Sequence, residues 1–109
     1  MRELHYANGS IVISFDLCTA IFDYALALAN ASTSDLVHVP IVVNGVPEES
    51  NILLGPASQL FCTPSTEAEI DLNDSDVIID IRRRIELLGH EKPVPSGGAA
   101  VESIEDFDV

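Results

Sequence analysis

The chain has 109 residues, 47% of them hydrophobic, which gives room for one apolar core rather than two. Eighteen acidic residues against five basic ones leave a formal charge of −13. A surface this negative repels phosphate backbones and anionic bilayers alike, so nucleic-acid and membrane binding are both disfavoured.

The opening Met1-Arg2-Glu3-Leu4-His5 carries no apolar run, which predicts no secretory signal. Cys18 and Cys62 could pair in principle, but cytoplasmic localisation with reduced thiols is the expectation. The apolar stretch around Ala25 to Ala29 is bounded by Asp23 and Asn30 and is too short to span a bilayer.

Asn8-Gly9 lies between Leu4-His5-Tyr6 and Ile11-Val12-Ile13. Asn-Gly tolerates the positive φ of a type I′ turn, so the pattern predicts a hairpin of strands 3–7 and 10–14. From Leu17 to Ala31 the period changes to that of a helix rich in Ala and Leu, with Asp16 as its expected N-cap. Leu17, Ile21, Tyr24 and Leu28 form one stripe, and Phe22, Ala25, Leu26 and Ala29 carry apolarity nearly around the helix. Such a helix must be covered on two sides, by sheet and second helix or by another subunit.

Leu36 to Val43 alternates as a strand, and Pro40 places it at an edge or a bulge. Asn44-Gly45 turns the chain, Pro47 to Glu49 reads as loop, and Asn51 to Leu54 and Ser58 to Cys62 read as short strands. An acidic connection follows from Thr63 to Asp71. Asp74 or Ser75 then caps a second helix with its stripe at Ile78, Ile81, Ile85 and Leu88 and a C-cap at Gly89. The β-branched run Val77-Ile78-Ile79 is also compatible with strand. Residues 91–109 read as a disordered acidic tail after a single domain over 1–90. The expected fold class is α+β, a mainly antiparallel sheet of about five strands with two helices on one face, in the order ββαβββα.

Candidate sites are few. Arg82, Arg83 and Arg84 hold three of the five basic residues and suggest an anion- or partner-binding site. Against that, cations suit the C-terminal half of a helix, and Asp80 and Glu86 stand at ion-pair spacing. Cys18 in the first turn of a helix is a candidate reactive thiol, because a helix N-terminus lowers thiol pKa. Buried packing is the commoner fate of such a residue, and Cys62 beside Phe61 reads as packing.

His5, His38 and His90 show no metal-ligand spacing, and no metal or other cofactor is expected. Asp71-Leu72-Asn73-Asp74-Ser75-Asp76 faintly resembles a calcium loop. It has Asp76 where the turn needs Gly and Arg82 where a bidentate Glu belongs, so an acidic connection and cap is the better reading. No phosphate-binding glycine loop or nucleophile elbow is present in the sequence, and no catalytic residue is assigned.

Leu4-His5-Tyr6 before a Gly turn, Ile11-Val12-Ile13, an Ala/Leu helix and the run Ser50-Asn51-Ile52-Leu53-Leu54-Gly55-Pro56-Ala57-Ser58-Gln59-Leu60-Phe61 together resemble a family of small actinobacterial proteins of unknown function. The resemblance spans residues 1–88. Gly55 stands where that family favours His, and the Trp residues and the basic cluster closing the first helix are missing. Some members are labelled ATP-dependent DNA ligase. The lone Lys92, followed by Pro93, offers no nucleotidyl-accepting lysine in a Lys-x-Asp-Gly setting, so no ligase residue carries over.

The leading expectation is a non-catalytic protein-interaction module, binding a protein partner or itself as a homodimer through the first helix or an edge strand. Two alternatives stand beside it. One is a small-molecule binder or enzyme with an anion site near Arg82 to Arg84. The other is an acidic nucleic-acid mimic that captures a basic protein.

Overall fold

The computed structural model describes residues 1–7 and 9–90. The tail reading for 91–109 therefore lies outside the described residues, as does Asn8. The elements run β1 (Arg2–Tyr6), β2 (Gly9–Ile13), α1 (Phe15–Asn30), β3 (Asp35–Val43), β4 (Val46–Leu54), β5 (Leu60–Pro64) and α2 (Ser75–His90). This is the α+β order ββαβββα. The five strands form one antiparallel sheet in the order β4-β3-β2-β1-β5.

Local signals account for the hairpins. Leu4 faces Ile11 and Tyr6 faces Gly9 across the first. In the second, Asn44 and Gly45 take φ values of 52° and 78°, the left-handed conformations that a two-residue hairpin turn demands. β4 begins at Val46, straight after this turn, so the expected loop at Pro47 to Glu49 is strand instead. β4 is an edge strand, where a proline's missing N–H is tolerated. β3 lies inside the sheet, but Val12 to Val42 is the single register pair joining it to β2. Pro40 thus falls on a stretch whose β2 side has no ladder.

The longest-range pairing sets β5 against β1, with Leu4 opposite Cys62 and Tyr6 opposite Leu60. The ladder is prolonged by Ser65 N–H donating to the Met1 carbonyl at 3.1 Å. The Tyr6 hydroxyl donates to the Leu53 carbonyl, pinning the end of β4 beside β1.

Strand alternation sorts the two sheet faces. Leu4, Ile13, Val37, Val39, Ile52 and Leu54 enter one buried cluster with Leu17, Ile21, Tyr24 and Leu28 of α1 and Ile81 of α2. Glu3, His5, Ser10, Phe61 and Thr63 occupy the opposite face.

The starts of the two helices are joined through the residue that caps α1. Ser14, not Asp16, is the N-cap of α1, accepting from Leu17 N–H at 3.1 Å. Asp16 sits in the first turn, where its charge suits the helix dipole. The Ser14 hydroxyl donates to the Asp74 carboxylate at 2.5 Å, so the two helices start together. The far end of α1 closes with Thr33 N–H on the Leu28 carbonyl and Ser32 N–H on that of Ala29, each at 3.1 Å. Ser32 takes the left-handed conformation (φ 54°) that glycine more often fills. α2 is helical from Ser75, including Val77 to Ile79, and runs past Gly89 to His90, so Gly89 does not end it.

Candidate functional site

The three arginines project from α2 and each meets a carboxylate. Arg82 pairs with Asp23 of α1 at 2.6 Å, and Arg83 pairs with Asp80. Arg84 reaches Asp80 through Nε at 2.9 Å and Asp35 of β3 at 2.7 Å. Asp35 is the hub. Its carboxylate also accepts from the Tyr24 hydroxyl at 2.5 Å and from Leu36 N–H at 2.8 Å. Burial works to raise the Asp35 pKa, but the hydrogen bonds from Tyr24 and Leu36 and the Arg84 guanidinium outweigh it and hold the group below the usual carboxylate range. Tyr24 is pushed up to about 12, first by burial and then by the adjacent Asp35 carboxylate.

The cluster is therefore a polar clamp joining α1, β3 and α2. An incoming anion would have to displace carboxylates already in place. Neither Asp35 nor Tyr24 stands out in the sequence, because the contact spans 11 residues on one side and 49 on the other.

Cys18 and Cys62 meet. The structure pairs them as a disulfide across α1 and β5, 44 residues apart in sequence. This corrects the expectation of two separate reduced thiols. The strand register places Cys62 on the helix-facing side of β5, directly over the first turns of α1, and that closure is what sequence spacing could not show.

Among the described residues no group of three His, Cys, Asp or Glu side chains converges as a metal ion would require. His5 stacks on Phe61, with ring centroids 4.2 Å apart, and shares a 3.1 Å hydrogen bond with the Thr63 hydroxyl. His38 is exposed on β3, and the side chain of His90 is outside the described set. The acidic run is a connection: Leu72 is buried, Asn73 N–H donates to the Asp71 side chain at 2.8 Å, and Ile78 N–H bonds the Asp74 carbonyl at 3.0 Å to begin α2.

One surface feature beside the disulfide is apolar. The sheet and α2 cover only part of α1, so Phe15 (61%) and Leu26 (63%) remain exposed. Phe15, Phe22, Leu26 and Ala29 recur at i, i+7, i+11 and i+14, a second stripe along the helix. β5 and the loop after β4 stand beside it and form a groove. One section, of about 320 Å³, runs between Phe15, Phe22, Leu60 and Cys62; the next, of about 240 Å³, runs between Phe22, Leu26, Pro56 and Leu60. Arg2 is the charged side chain lining it, and its guanidinium lies 5.6 Å from the centre of the Phe15 ring.

No protein-family model, curated protein or solved structure matches this chain.

Proposed function

We propose that this chain is a non-catalytic interaction module that self-associates through the groove side of α1. The observation that carries the reading is the second apolar stripe of α1, with Phe15 and Leu26 more than half exposed beside the edge strand β5. Monomeric surfaces seldom leave so continuous an apolar face open. Charge favours a second copy as the occupant. Two bodies of −13 can approach only where carboxylates are absent, and the groove lining holds none.

Sedimentation equilibrium over a concentration series is expected to show a rise from one chain mass to two. Raising salt strengthens the association by screening the remaining repulsion, the reverse of a salt-bridged interface. Leu26→Asp places a charge in the stripe without touching the core. It is expected to weaken dimerisation at least tenfold, about 1.4 kcal/mol, and to leave the melting temperature of the monomer unchanged. A strict monomer at high protein concentration and high salt would sink the proposal.

A further inference from the structure

We infer that Cys18 and Cys62 are a reversible redox pair, opened by a dithiol at the groove and acting as a latch between α1 and the edge strand β5. The bridge lies in the groove that self-association would cover, so opening is expected of the single chain and is read at protein concentrations below dimerisation.

Access is the first argument. The paired sulfurs are not sealed in the core: both cysteines line the groove section formed by Arg2, Phe15, Thr19, Phe22, Leu60 and Phe61. Cys18 is 4% exposed, whereas Cys62 is half-buried and faces an approaching reagent.

Leaving-group chemistry is the second. A donor thiolate attacks Cys62 Sγ, a new sulfur–sulfur bond forms there, and the Cys18–Cys62 bond breaks with its electron pair on Cys18 Sγ. Cys18 stands in the opening turns of α1, and its N–H makes a 3.0 Å bond to the Ser14 carbonyl at the head of the helix. The positive end of the helix favours a thiolate at that place, the Arg2 guanidinium lines the same groove section, and a stabilised thiolate leaves faster. The donor's second thiolate then attacks its own sulfur in the mixed disulfide and releases Cys62. Two electrons and two protons pass from the dithiol to the protein, and the donor leaves as a disulfide.

Mechanical consequence is the third argument. β5 is laddered to β1 on one side only, and the bridge ties it covalently to the helix layer. Opening the bridge removes that tie and leaves β5 held by its β1 ladder alone.

The test equilibrates the folded full-length chain in buffers of graded reduced to oxidised dithiothreitol, then quenches, alkylates and weighs it. The expected result is one reversible transition between no and two alkylated cysteines without denaturant, accompanied by changed amide signals for Leu60 to Thr63 and unchanged signals in β3 and β4. Arg2→Gln is expected to slow reduction of the folded chain roughly threefold and leave the rate in urea unaltered. The inference is overturned by thiols that oxidised dithiothreitol never joins, by a bridge that opens only in urea, or by opening that leaves the β5 signals where they were.

Discussion

Ile21→Ala is expected to lower the unfolding free energy by about 3–4 kcal/mol, with a fall in melting temperature on the order of 15 °C. Ile21 is fully buried in the middle of α1, in the cluster that holds Leu4, Ile13, Leu17 and Ile81. Covered by both sheet and α2, the site has no free surface along which neighbours could collapse into the space vacated. The transfer loss is therefore joined by a cavity term. Alanine's better helix propensity returns only about 0.4 kcal/mol. Leu26→Ala, on the exposed side of the same helix, is the control and should shift stability by under about 0.5 kcal/mol. Urea melts of the two variants give the comparison. A cost below about 1 kcal/mol for Ile21→Ala would mean that α1 does not present this face to the dry interior.

Asp35→Ala is the second large effect, expected to cost about 2–3 kcal/mol. The carboxylate is partly exposed, so little of this is Coulomb energy with Arg84. Most comes from the Tyr24 hydroxyl, which loses its acceptor while the residue stays buried. Tyr24→Phe removes the donor instead, leaves Asp35 paired with Arg84, and should cost only about 1 kcal/mol.

The pH profile follows from the two displacements. Asp35 is held low, so its contribution is fully present above the ordinary carboxylate range and is lost as pH falls through its folded value. Tyr24 is raised from 10 to about 12, so its contribution is fully present below pH 10 and is lost as pH climbs through about 12. Urea melts between these alkaline limits should show stability falling in the parent chain. That part of the decline should vanish in Tyr24→Phe. An identical alkaline profile in the variant would remove the Tyr24–Asp35 contact from the account.

What the sequence disclosed depended on the range of each signal. Gly45 announces its turn within a few residues, whereas the first hairpin closes one residue earlier than Asn8-Gly9 implies, with Gly9 already paired to Tyr6; the stripe through Ile78, Ile81, Ile85 and Leu88 declares the packed side of α2 by its own period. Element order and fold class rest on such local information, and both are read correctly from it. The errors are equally local in origin. By residue type Asp16 is as good a cap as Ser14, and only the backbone at Ser14, extended with ψ 159°, decides between them. Pro47 reads as loop because an edge position cannot be inferred before strand order is known.

The candidate site was less legible because it is assembled from distance. Arg82 to Arg84 are visible as a cluster, but their partners Asp23 and Asp35 are two among eighteen acids. Cys62 meets Cys18 only once β5 has added to β1. The apolar stripe was visible as all-round hydrophobicity of α1, yet which part of it stays open depends on where α2 lands.

The position of β1 between β2 and β5 has a consequence for biosynthesis. Its first neighbour follows within a few residues, but the other flank waits for Leu60 to Pro64. A ribosome must extrude more than half of the chain before this ribbon can be zipped on both sides. Loop closure of that span places folding on the order of milliseconds to seconds. During that interval the nascent ribbon offers one row of free N–H and C=O groups to any extended polypeptide nearby, which makes Arg2 to Tyr6 the segment where a co-translational chaperone would do most to prevent mispairing.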